Sequence, residues 1–219
     1  MTGGATLHVA SGRTIGNALT FSGSSANVLA GTGTFSSAVT TNNTVVLSPG
    51  NSIGTLNFSN GLTIGTGSAI SFQIHDAAGN AGTGYDLINV SGGLLALTAE
   101  SGTITFNIVS VDANGGNAAA INFDPTQSYS WTFATMASSS NSGTITGFNP
   151  NLFNSVLSEF TNDLAGGSFS FSLFESSDLS LNHRSLLLNF TPVPEPETYV
   201  LMGTGLSLLA GAAWRRRRR

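Results

Sequence analysis

Apolar and polar residues alternate in short runs along residues 1 to about 110, with Gly, Asn and Ser turns between them. A period of two places successive side chains on opposite faces of a strand. In the clearest run, Ile104, Phe106 and Ile108 share one face, and Thr103, Thr105 and Asn107 share the other. Comparable runs occupy residues 44–47, 55–58, 62–64, 69–74, 85–90 and 94–97. Strands this short cannot bury a face alone. Stacked coils of a solenoid can, because each coil covers its neighbour. The pattern therefore predicts an all-β, solenoid-like body, with a β-sandwich as the alternative.

The turns fit the same picture. Pro49-Gly50 and Asn51-Ser52 read as a turn between two coil faces. Gly31-Thr32-Gly33 and Gly65-Thr66-Gly67 read as corners rather than phosphate loops, since neither a helix pattern nor a lysine follows.

Further along, residues 112–127 read as a loop. Tyr129, Trp131 and Phe133 alternate with Ser128, Ser130 and Thr132, which predicts a strand. Asn149-Pro150 looks like the start of a short helix, with Leu152, Phe153, Val156, Leu157 and Phe160 on one stripe. Residues 168–174 and 185–190 read as two paired strands covering the open end of the body, which otherwise exposes edge groups. The expected organisation is a repeat region over 1–127, a β-rich cap over 128–191 and a terminal segment over 192–219.

The terminal segment is the most specific part of the chain. After Val193-Pro194-Glu195-Pro196-Glu197, residues 198–214 carry no charge. As a helix they span about 25 Å, at the short end of what crosses a bilayer core of about 30 Å. Tyr199 and Trp214 lie at the two ends, where amphipathic rings favour the interface. Arg215, Arg216, Arg217, Arg218 and Arg219 follow at once. They act as a stop that stays cytoplasmic and places residues 1 to about 192 across the membrane. A buried core helix seldom ends in five arginines. A nucleic-acid patch fits no better. Without those five, two arginines face eleven carboxylates, a net of −9, which repels phosphate backbones.

The order Pro194-Glu195-Pro196, polar residue, apolar helix and terminal arginines resembles the PEP-CTERM sorting signal. Glu197 stands where that family usually has a small polar residue. The resemblance implies an exported bacterial surface protein and processing near Pro194–Pro196 by an exosortase, a membrane-embedded, cysteine transpeptidase-like enzyme. It also implies an inner-membrane precursor in a cell with an outer membrane, and an exopolysaccharide matrix as destination. Residues 25–100 carry a second likeness. Leu47-Ser48-Pro49-Gly50-Asn51-Ser52-Ile53-Gly54-Thr55-Leu56-Asn57-Phe58, Gly65-Thr66-Gly67-Ser68 and Tyr85-Asp86-Leu87-Ile88-Asn89-Val90 resemble the autotransporter-associated β-strand repeats. That likeness implies a right-handed parallel β-helix.

Composition supports an extracellular setting. The 219 residues include 27 glycines, no cysteine and no lysine, and only 8% are charged; globular domains approach about 25%. Without cysteine there is no disulfide, no thiolate catalysis and no cysteine-based zinc site. Met1-Thr2-Gly3-Gly4-Ala5 shows neither the basic nor the apolar region of an export signal. Because the tail demands export, the chain is expected to be part of a protein that is longer at its front.

Candidate chemistry is sparse. His75-Asp76 is the adjacent His–carboxylate pair, but no Gly-x-Ser-x-Gly supplies a positioned nucleophile; His8 and His183 stand apart. Asp76, Asp86, Asp112 and Asp124 are candidates for calcium, yet no EF-hand or Gly-Gly-x-Gly-x-Asp repeat occurs, and Asp favours turns on its own account. Paired carboxylates for glycoside cleavage find no distinct motif. A carbohydrate-binding module needs exposed aromatics such as Tyr129 or Trp131, and these are expected to be buried. The expectation is a structural or adhesive protein and not an enzyme. No catalytic, cofactor-binding or metal-binding residue is expected. Exosortase, the membrane and exopolysaccharide are the candidate partners, and nucleic acid is excluded.

Overall fold

The alternating runs fold as rungs of stacked coils. The computed structural model describes residues 1–22, 25–42, 45–137, 144–176 and 183–193. The first coil contains β1 (Thr6–Val9) and β2 (Thr14–Ile15). The second holds β3 (Asn27–Gly31), β4 (Thr34–Phe35) and β5 (Val39–Thr41). The third holds β6 (Val45–Pro49), β7 (Thr55–Phe58) and β8 (Leu62–Ile64). The fourth holds β9 (Ala69–Ile74), β10 (Leu87–Val90) and β11 (Leu94–Leu97). The fifth holds β12 (Ile104–Ser110), β13 (Tyr129–Ala137) and β14 (Thr144–Thr146), and β15 (Phe153–Glu159) adds one more rung.

Successive strands pass in turn to three sheets. The first is ordered β1-β3-β6-β9-β12-β15, the second contains β2-β4-β7-β10-β13, and the third is β5-β8-β11-β14. Every pairing between these strands is parallel. This is the stacking expected of a solenoid-like body. The alternative sandwich would require antiparallel sheets packed face to face. The parallel stack runs on past residue 127 to β15.

Register shows why the stack holds. Leu29 lies over Leu47, Leu47 over Ile70, and Ile70 over Phe106. Leu56, Ile88 and Ala134 make a second column, and Val39, Leu62, Leu95 and Ile145 a third. All of these are buried. Burying a large apolar side chain contributes about 1.5–3 kcal/mol. Outward positions carry many polar residues, alongside apolar ones such as Val28, Val46 and Leu94. Asn57 and Asn89 are in register, and Asn89 Nδ2 donates to Asn57 Oδ1 at 2.9 Å. Corners are close-packed. Gly31 has φ +104°, and a Cβ there would stand 2.2 Å from the Val9 carbonyl oxygen; only glycine fits such a turn.

Coil length changes along the stack. Val28 pairs with Val46 and Val46 with Ala69, steps of 18 and 23 residues. Ala69 pairs with Thr105 and Ile104 with Phe153, steps of 36 and 49 residues. The added length includes the loops 75–86 and 112–128, which leave the stack between its first and second sheets.

The helix expected after Asn149-Pro150 is a strand. Asn149 does cap a turn, accepting from Asn151 N at 2.9 Å, but only a one-turn 3₁₀ helix (Pro150–Leu152) follows. Phe153, Asn154, Ser155 and Val156 then pair with β12 from Ile104 to Asn107. The proposed stripe is divided accordingly: Leu152 and Phe153 are buried and Leu157 is 36% exposed. The free parallel edge of β12 outweighs a helical period that carries no further local support.

The antiparallel pair predicted from residues 168–174 and 185–190 forms as β16 (Ser168–Glu175) and β17 (His183–Thr191). β17 also pairs antiparallel with β13, so the two strands extend the second sheet beyond its last coil. β16 turns Phe169 and Phe171 onto the core. Phe171 stacks on Phe153 with centroids 4.4 Å apart, and meets Phe106 edge-on at 5.0 Å. Such ring pairs add about 0.5–1.5 kcal/mol beyond buried area.

Candidate functional site at the exit of the tail

β17 carries the chain from the body to the tail. Its inward residues Leu186, Leu188 and Phe190 are buried. Phe190 pairs with Tyr129 on one side and Phe169 on the other, and Thr191 pairs with Ser168. Pro192 is half-buried and Val193 is 53% exposed. Gly167 is required here, because a Cβ on it would stand 2.3 Å from the Phe190 ring. A Cβ on Gly166 would stand 3.4 Å from Val193 Cγ2, so Val193 still lies against the body.

The exit lies where loops 112–128 and 160–167 enter the second sheet. These loops are tied by their own polar groups. Tyr129 Oη donates to the Asn122 carbonyl at 2.9 Å and accepts from Asp124 N at 2.7 Å. Asn162 Oδ1 accepts from Ala120 N at 2.8 Å, and Asn162 Nδ2 donates to the Ala120 carbonyl at 2.9 Å. Phe123, Tyr129 and Trp131 stack in sequence, at 5.3 and 5.1 Å. Trp131 is buried, and its Nε1 donates to the Ala77 carbonyl at 2.9 Å. Tyr129 is half-buried. Their rings serve this packing.

Of the histidine and carboxylates weighed from sequence, His75 and Asp76 lie together in loop 75–86, and Asp112 and Asp124 lie in loop 112–128. His75 Nδ1 is 3.1 Å from the Val111 carbonyl. Asp76 Oδ1 accepts from Ala78 N at 3.0 Å and from Asn122 Nδ2 at 2.9 Å. Asp112 Oδ1 accepts from Asn114 N and Gly116 N at 2.8 and 2.9 Å. The backbone N–H groups, that of Gly116 foremost, hold the Asp112 carboxyl below its ordinary range. Asp124 Oδ1 accepts from Thr126 N and Oγ1, at 2.9 and 2.8 Å, and its pKa is lowered by those bonds. Among the described residues, no group of three or more His, Asp or Glu side chains is placed to hold a metal ion. His8 is exposed on β1, and His183 opens β17.

Asp86 is the residue whose setting sequence reading missed. It is fully buried, and its two carboxylate oxygens accept from Gly54 N and Gln73 N, each at 2.9 Å. Burial raises its pKa well above the ordinary value, and the Gln73 and Gly54 N–H groups pull it back. It ties the entry to β7, the end of β9 and the entry to β10 together. No local pattern marks such a role, because its partners lie far away in sequence.

The sorting residues Pro194, Glu195 and Pro196 lie outside the described residues, as do Tyr199, Trp214 and Arg215 to Arg219. So does the expected span 198–214. Among the described residues no helix is long and apolar enough to cross a membrane.

The fold is an all-β, parallel-stacked body that the chain leaves at the end of β17. The PEP-CTERM protein-sorting motif matches residues 192–218, starting directly after β17. No curated protein and no solved structure matches the chain. The match supports an exported protein, made as a membrane-anchored precursor and sorted by an exosortase, a membrane enzyme. The likeness of residues 25–100 to autotransporter-associated repeats finds no support in these comparisons.

Proposed function

We propose that this protein is an exported structural or adhesive component of the extracellular, exopolysaccharide-containing matrix of a bacterium with an outer membrane. Residues 198–214 anchor the precursor in the inner membrane, with Tyr199 and Trp214 at the interfaces and Arg215 to Arg219 as the cytoplasmic stop. The exosortase cleaves near Pro194-Glu195-Pro196 and releases the body for the cell surface. Proline fixes φ and lacks an N–H donor, so a Pro-Glu-Pro sequence disfavours helix and suits entry into an enzyme cleft. The body then acts by display, presenting Ser, Thr and Asn ladders on a stack wound right-handed, as parallel crossovers nearly always are.

The observation that carries this reading is the sorting-motif match over 192–218, which begins directly after β17. A non-catalytic body is supported by the carboxylates of its loops, which are engaged as acceptors by N–H groups of those loops. The test is to replace Pro194, Glu195 and Pro196 by alanine in the producing cell and fractionate it. Full-length protein accumulates in the inner membrane if the reading is right. Unchanged release to the surface rejects it.

A further inference from the structure

The folded body reaches almost to the sorting motif. β17 is paired on both sides at its end, through Tyr129 with Phe190 and through Ser168 with Thr191. Phe190 is 1% exposed, so this end is anchored in the core. Fully extended, the chain from Thr191 to Pro194 spans about 10 Å, and to Pro196 about 18 Å. Even a small folded domain is about 30 Å across. A catalytic cleft that encloses Pro194–Pro196 therefore has a rim broader than the tether is long. Its rim meets the body at one defined place, the corner where β17 ends.

That corner is preformed. The reciprocal Asn162–Ala120 hydrogen bonds and the Tyr129 hydroxyl fix the loops on either side of it. Gln127, Ser128, Ser168 and Val193 are exposed around the exit. We propose that this corner is a docking surface for the membrane-embedded, peptide-cleaving enzyme that acts on the tail. The enzyme then reads the motif and the adjoining end of the body as one substrate. The proposal rests on the sorting reading, and adds to it that the body is part of what is recognised.

The test follows conversion of full-length precursor to processed protein by pulse-chase in the producing cell. Ser128→Trp and Ser168→Trp place bulk at the corner, and Thr40→Trp places it on the exposed face of the third sheet. The corner variants are expected to slow conversion by roughly tenfold, while Thr40→Trp converts at the native rate. A flexible Gly-Ser insertion between Val193 and Pro194 of the otherwise native chain separates motif from corner and is expected to slow conversion likewise. Unchanged melting temperatures show that the slow variants are folded. Native-rate conversion of folded corner variants, while the alanine-substituted Pro194-Glu195-Pro196 protein is blocked, overturns the docking surface and leaves sorting intact. Native-rate conversion of the insertion variant also overturns it. If the alanine-substituted protein is processed normally, the sorting reading itself fails.

Discussion

The two ends of the stack are built from similar apolar residues and differ in what covers them. At the first coil, Leu7 and Ile15 are only half-buried, and β2 is two residues long. Leu19 and Phe21 pack against the core from beside the strands, and Met1 and Gly3 bond to Ser22 at 2.9 and 3.0 Å. At the other end, Leu186, Leu188 and Phe190 are buried as deeply as any residue between two coils. The difference teaches that burial here comes from being flanked on both sides. A coil supplies it inside the stack, and the antiparallel β16–β17 pair with its aromatic side chains supplies it at the end.

The largest effects should fall where flanking is complete. Phe106 contacts the rings of Phe72, Phe133, Phe153 and Phe171. Phe106→Ala is expected to cost about 3–5 kcal/mol and Leu188→Ala about 2–5 kcal/mol in denaturant unfolding. Ile15→Ala, at the half-covered end, should cost no more than about 1 kcal/mol. Equal losses for Leu188→Ala and Ile15→Ala would break the comparison.

A smaller effect sharpens it, through pH. Asp86 lies inside the stack, and burial raises its pKa in the folded state. A raised folded-state pKa means that this group stabilises the fold below its unfolded value of about 3.9, and that the contribution is lost as pH rises through the folded value. Stability should therefore decline as pH rises from about 4, and Asp86→Asn should flatten that slope. An identical slope in the variant would show that the buried carboxyl is not its source. The smallest effect is expected at the tip of the β16–β17 pair. Arg184 Nε and Glu175 Oε1 are 3.2 Å apart on an exposed surface. Glu175→Gln should change stability by under about 1 kcal/mol. A larger loss would mean that the pair is held more rigidly than its exposure suggests.

The middle of the stack was legible because each strand there alternates within itself. Ile70, Phe72 and Ile74 point inward and Ser71 and Gln73 outward, as a period of two requires. β2 and β4 are two residues long, too short for any period to show. The segment 153–159 was misread because its apolar residues also fit a helix, and the deciding partner, β12, begins 49 residues earlier. Asp86 was read as a turn residue because the N–H groups it accepts from belong to other strands and corners. The tail was the reverse case. Its order of prolines, apolar run and arginines is a linear signal, so sequence alone carried it.

The central claim is that the tail is removed and the folded body is what reaches the surface. The most direct measurement is the intact mass of the protein recovered from the surface of the producing cell. The account predicts a C-terminus near Pro196, with the apolar segment and the five arginines gone. A surface protein that still ends at Arg219 would contradict it.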